Sequence, residues 1–217
     1  MLHEHKIYWS QKSFIYQTVV SLVFLLVTFW VNSYANAYIL IHSSNDVTDI
    51  ILDNIPVVNV HLIFSEGAVA FIIILLLVLL YEPRYIPFSI KSIALFVLIR
   101  SFFLVLTHLA PPSEQIYIDP TDYIARISSG NDLFFSAHTG MPVLLSLVFW
   151  EKKILRYYFI FCALLGGVAV LLGHLHYSID VFSAVFISFG IFHLSKRWFK
   201  KDYELAVLGR SERSRTT

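Results

Sequence analysis

The sequence predicts an all-α fold, a polytopic membrane protein with six transmembrane helices in one bundle. Three observations predict it. The 217 residues are 57% apolar and only 14% charged, with a mean hydropathy of +0.70, which excludes the balance of an ordinary water-soluble domain. The apolar residues come in runs, several of which reach the ~20 residues needed to cross a hydrocarbon core of ~30 Å. The ionisable residues near those runs gather at one membrane level, as set out below. The one cysteine, Cys162, lies inside an apolar run, so the chain alone builds neither a disulfide framework nor a cysteine metal site.

The expected spans are Phe14–Tyr34, His61–Tyr81, Phe88–Leu109, Leu133–Trp150, Ile154–Gly173 and Tyr177–Ser195, with boundaries good to about 2–4 residues. The first invites another reading, because Lys6 and Lys12 precede an apolar run ending near Ala35-Asn36-Ala37, in the manner of a cleaved signal peptide. That run is longer than the roughly 7–15 residues of a secretory apolar region, and apolar character resumes at Tyr38–Ile41. A true span is the better reading. The chain divides into an N-terminus of residues 1–13, a transmembrane catalytic domain over 14–197 and a basic tail over 198–217.

Charge orients the bundle. If the termini and the turns at Glu82–Pro87 and Glu151–Lys153 share one side, that side holds Lys6, Lys12, Arg84, Lys91, Lys152, Lys153, Arg156, Lys196, Arg197 and the tail cations. The opposite side holds Arg126, with Arg100 near it inside the third span. By the positive-inside rule the termini are cytoplasmic and the loops His42–Asn59 and Ala110–Asp132 face the exoplasm, periplasmic or lumenal. A net charge of +1 says little about partners, and the basic tail reads as an anchor at an anionic leaflet, with no nucleic-acid partner expected.

Ionisable side chains within hydrocarbon cost at least ~2.5–3.5 kcal/mol on insertion scales, so those near the spans are site candidates. Glu66 opens the second span, Arg100 lies in the outer half of the third, Asp132 and His138 open the fourth, His174 closes the fifth, and His176 with Asp180 open the sixth. All fall near the non-cytoplasmic face. On a helix the spacing of four in His176-Tyr177-Ser178-Ile179-Asp180 puts the carboxylate beside one imidazole nitrogen and leaves the other free to attack. His138 then serves as acid and base. Such a set suffices for phosphoryl transfer through a phosphohistidine, with Arg100 available to neutralise phosphate oxygens and no metal or other cofactor required. A zinc site ranks well below, for want of a His-Glu-x-x-His pattern or a cysteine pair. His61, His108 and His193 read as packing or interfacial residues, His174 stays undecided, and Glu66 and Asp132 either tune a histidine or cap a helix start.

These residues resemble a known family. Gly130-Asn131-Asp132-Leu133-Phe134-Phe135-Ser136-Ala137-His138-Thr139 is similar to the Cys-Gly-Asp-x-x-x-Ser-Gly-His-Thr motif of sphingomyelin synthases, and His176-Tyr177-Ser178-Ile179-Asp180-Val181 to their His-Tyr-Thr-Val-Asp-Val. Asp49-Ile50-Ile51-Leu52-Asp53 with Ser65-Glu66-Gly67, and Arg100-Ser101-Phe102-Phe103 through Leu109-Ala110-Pro111, resemble two further family segments. The resemblance implies a six-helix member of the type 2 phosphatidic acid phosphatase superfamily, sphingomyelin synthase-related branch. In it His176 is the nucleophile, Asp180 its orienting partner and His138 the acid/base, with Arg100, Glu66 and Asp132 on the substrate. The implied activity moves phosphocholine or phosphoethanolamine from a glycerophospholipid donor to ceramide or a similar lipid alcohol, within the membrane, and homo-oligomerisation is compatible with it.

The chain departs from the pattern at Ala137, where the family has Gly, and at Gly130-Asn131, where it has Cys-Gly. The Lys-x6-Arg-Pro motif usual in the soluble-substrate phosphatase branch is missing, and Val170 stands where that branch has an Arg ahead of its His, so the transferase branch fits better. Two alternatives remain: a lipid phosphatase or phospholipase C-type hydrolase, with water as acceptor, and a non-catalytic lipid transporter or scaffold.

Overall fold

The computed structural model describes residues 2–117 and 133–209. Asp132 and Arg126, and the tail cations Arg210, Arg213 and Arg215, lie outside them. A short helix α1 (Leu2–Trp9) precedes α2 (Lys12–His42), which at 31 residues is the longest of the described helices. A π turn over Leu62–Glu66 leads into α3 (Gly67–Tyr81), and a 3₁₀ turn over Pro83–Tyr85 into α4 (Ile86–Leu106). Then come α5 (Ala137–Val148), α6 (Lys153–Leu172), α7 (Ser178–Trp198) and α8 (Lys200–Leu208). No strand occurs among the described residues.

Burial runs opposite to that of a soluble protein. On α2 the large apolar side chains Val23, Leu26 and Trp30 are exposed, while the buried positions are Thr18, Ser21, Thr28, Ala35 and Asn36, with Phe14 and Ile39 towards the helix ends. Small residues inside and large apolar ones outside suit close helix packing in lipid, where the surrounding tails are as apolar as leucine. Ser21 and Thr28 satisfy their hydroxyls on carbonyls of the preceding turn, at 2.7 Å on Thr18 and 2.8 Å on Leu25, and Ser101 of α4 lies 3.1 Å from the Asn32 amide oxygen of α2. The largest apolar cluster stacks Tyr85, Phe149 and Phe159, which are fully buried, with ring centroids 4.7 Å and 5.6 Å apart.

Among the described residues, five helical segments are long and apolar enough to cross a membrane: Lys12–His42, Leu62–Tyr81, Pro83–Leu106, Lys153–Leu172 and Ser178–Trp198. The expected fourth span, Leu133–Trp150, shrinks to the 12 residues of α5. At 1.5 Å per residue that is ~18 Å, short of the ~30 Å core. The reason lies in the hydrogen bonds. Ser136 is extended (φ −60°, ψ 120°) and gives its N–H to the Asp180 carbonyl at 3.1 Å, while the Phe135 carbonyl accepts from Arg100 Nε at 2.7 Å. The Phe135 carbonyl and the Ser136 N–H are thus spent on other helices, and the turn at Phe149–Lys152 closes the other end.

Candidate active site

The site is built on the junction between α6 and α7. Tyr177 is extended (φ −70°, ψ 158°) and caps α7, whose third residue, Asp180, turns its carboxylate back to accept the Tyr177 N–H at 3.0 Å. A carboxylate in the first turn meets the positive end of the helix dipole and satisfies a backbone donor that has no helical partner. Asp180 is fully buried, and its Oδ2 lies 3.5 Å from His176 Nδ1. His176 therefore precedes the helix rather than riding on it. The pair meets through the bend of the cap, not through helical spacing. At 3.5 Å the contact is longer than a formed hydrogen bond, as catalytic contacts in free enzymes often are. The other carboxylate oxygen, Oδ1, is buried without a hydrogen-bond partner, as is His176 Nδ1.

Two outer loops are pinned onto this cap. The Tyr177 hydroxyl donates to the Ala110 carbonyl at 3.0 Å and accepts the Val47 N–H at 3.2 Å. Asp49 accepts the Ser178 N–H at 2.7 Å, along with the N–H groups of Ile51 and Leu52 at 2.9 Å and 3.2 Å. Burial pushes the Asp49 carboxyl up, but bonds from the Ser178 hydroxyl and the three backbone N–H groups outweigh it and hold the group below the usual carboxylate value.

Asp49→Ala should accordingly cost about 1–2 kcal/mol, as loss of a charged helix cap does. A carboxyl whose pKa is lower folded than unfolded stabilises fully above its unfolded value of about 3.9, and that contribution fades as pH falls through the folded value. Thermal melting in detergent should show the variant melting lower at pH 7, with the gap narrowing only below about pH 4. Equal melting at neutral pH would refute the cap.

His138 sits in the first turn of α5, which the Ser136 N–H bond ties to Asp180. Its ring stacks on Phe64, centroids 4.3 Å apart, with Nε2 3.3 Å from the Phe64 carbonyl in the π turn. Glycine lets α6 come against this turn: a Cβ at Gly166 would lie 2.5 Å from the His138 carbonyl oxygen. On the other flank Ser188 of α7 donates to the Gly140 carbonyl at 2.9 Å.

The arrangement brings together His176, Asp180 and the turn carrying His138. Arg100, 6% exposed, holds the loop just before that turn through Phe135. Glu66 is exposed, and its carboxylate lies 3.7 Å from His61 Nδ1, so its observed ion pair is with His61 and not with the histidine-aspartate pair. Asp132 lies outside the described residues. Sequence reasoning missed Tyr177 and Gly166 and treated Asp49 only as part of a motif. The Asp49–Asp53 spacing, in which Asp53 Oδ2 accepts the Asp49 N–H at 3.2 Å, is the signal of a side-chain-capped turn.

No curated protein and no solved structure matches the chain significantly. Residues 129–197 match the family model described as PAP2 superfamily C-terminal, and that stretch holds His138, His176 and Asp180. The match supports a place in the type 2 phosphatidic acid phosphatase superfamily, whose chemistry is of the phosphatase and phosphotransferase kind.

Proposed function

We propose that the protein is a membrane phosphotransferase that moves a phospho-headgroup from a glycerophospholipid to a lipid alcohol, in the manner of sphingomyelin synthases. The observation that carries this reading is the buried His176–Asp180 pair, 3.5 Å apart, on a helix cap bonded to the start of α5. His176 attacks the phosphorus of the donor through Nε2. The bond from phosphorus to the glycerol oxygen breaks, and protonated His138 gives its proton to that oxygen, releasing diacylglycerol. In the second half His138 takes the proton of the acceptor hydroxyl, whose oxygen attacks phosphorus and expels His176. Asp180 holds the imidazole with Nδ1 inward and stabilises its cation, and Arg100 neutralises the phosphate oxygens of the headgroup. The asymmetry of basic residues supports cytoplasmic termini and a site on the exoplasmic side.

The test uses purified protein in vesicles with headgroup-labelled phosphatidylcholine or phosphatidylethanolamine, supplied with ceramide, diacylglycerol or neither, and products resolved by mass. Label on the acceptor lipid is the expected result. Label released only as a water-soluble phosphate ester would make the enzyme a hydrolase, and no turnover with any pair would move the reading to a transporter or scaffold.

The same assay checks the close approach of α6. Gly166→Ala drives a methyl group into the His138 backbone and should lower turnover about 100-fold, the effect of an ångström-scale misplacement of a reacting group. Gly190→Ala on α7, which meets no atom within 4 Å, serves as the control and should retain wild-type turnover.

A further inference from the structure

His174 combines an unusual backbone conformation with an unpaired ring atom. Helix α6 ends in a Schellman closure: the His174 N–H bonds to the Leu171 carbonyl at 3.0 Å and the Leu175 N–H to the Val170 carbonyl at 2.8 Å. Its left-handed residue is His174, at φ 53°, where glycine or asparagine is the usual occupant and an L side chain is strained. Glycine is present one residue earlier, because a Cβ at Gly173 would lie 2.7 Å from Val60. The histidine side chain is then buried, 5% exposed, and its Nε2 finds no hydrogen-bond partner among the described residues. Burying an unpaired polar atom is costly, and strain of this kind persists where a site uses it.

The two costs fall on one residue, two positions before His176. Of the other unpartnered buried atoms of this junction, His176 Nδ1 lies 3.5 Å from Asp180 Oδ2, and Asp180 Oδ1 is an acceptor on that same carboxylate, with no proton to offer an anion. His174 Nε2 has no partner among the described residues. We infer that His174 is a third substrate-touching histidine, whose Nε2–H donates to a non-bridging phosphoryl oxygen of the headgroup. This rests on the phosphotransferase reading for its substrate, but not for its oxyanion contact. An imidazole N–H is the donor suited to an oxygen whose negative charge is greatest as phosphorus changes partners, and a donor already buried and oriented needs little reorganisation.

The experiment separates fold from function because glycine suits the His174 backbone better than histidine does. His174→Gly and His174→Asn, each compatible with a left-handed residue, are melted in detergent with increasing inorganic orthovanadate and assayed for headgroup transfer. Without vanadate both should melt at or above the wild-type temperature. The vanadate midpoint should rise at least 10-fold and kcat/KM for transfer should fall at least 100-fold. A wild-type vanadate midpoint in either variant overturns the contact, and so does a wild-type protein whose melting vanadate does not shift. Vanadate binding that depends on His174 in a protein that moves no headgroup would instead sink the transferase reading and leave the contact standing.

Discussion

His176→Gln should abolish headgroup transfer, by at least about 10⁴-fold, since removing the nucleophile of a covalent mechanism leaves only what binding and the oxyanion contacts contribute. Glutamine nearly matches the volume of histidine at this buried position and carries an amide that can still meet Asp180 Oδ2, so the α7 cap and the loops pinned to it stay in place. Melting temperature and membrane insertion should therefore match wild type. Asp180→Asn separates the two duties of the carboxylate. Asp180 Oδ2 faces both the Tyr177 N–H and His176 Nδ1, so an amide oxygen placed there keeps the cap but carries no charge to stabilise the histidine cation, and a loss of about 10²–10⁴-fold in turnover follows from comparable catalytic pairs. Wild-type turnover by well-inserted His176→Gln protein would sink the phosphohistidine mechanism, whatever reaction the protein performs.

Much of the bundle was legible because a membrane helix states itself through length and uniform apolarity, which need no tertiary knowledge. Lys153–Leu172 and Ser178–Trp198 fall within a few residues of their expected bounds for that reason. The shortening of Leu133–Trp150 has another cause. Its start is interrupted because Phe135 and Ser136 bond to Arg100 and Asp180, partners 35 and 44 residues away that hydropathy does not register. The histidine and aspartate were legible as a pair and misread in geometry, because nothing in the spacing of four tells a helical face from a helix cap. The Asp49 contact on Ser178 spans 129 residues and lies beyond local reasoning altogether. Lys91 shows the limit of counting charges: read as a cation of the cytoplasmic side, it is 5% exposed inside α4.

Asp202→Ala should destabilise the protein by about 3–5 kcal/mol, the cost of leaving a buried charge without its partner. Lys91 Nζ donates to Asp202 Oδ2 at 2.6 Å and to Gln17 Oε1 at 2.6 Å, joining α4 to α8 and α2, with both ionic side chains 7% exposed. Helix α8 has only 9 residues and makes no independent fold, so this bond and the burial of Ala206 hold it to the bundle. Lys91→Met should cost less, because Asp202 lies in the first turn of α8 and keeps the favourable end of the helix dipole, whereas Lys91 without Asp202 keeps the neutral Gln17 amide and the face of the Phe199 ring, 5.5 Å away. The double variant Lys91→Met with Asp202→Leu should recover most of the loss, since an apolar pair of similar volume removes both desolvation costs together. Melting temperatures of the four proteins in one detergent close the cycle. Strictly additive losses would show that the two side chains do not act as a pair, and the attachment of α8 would then rest on its apolar contacts.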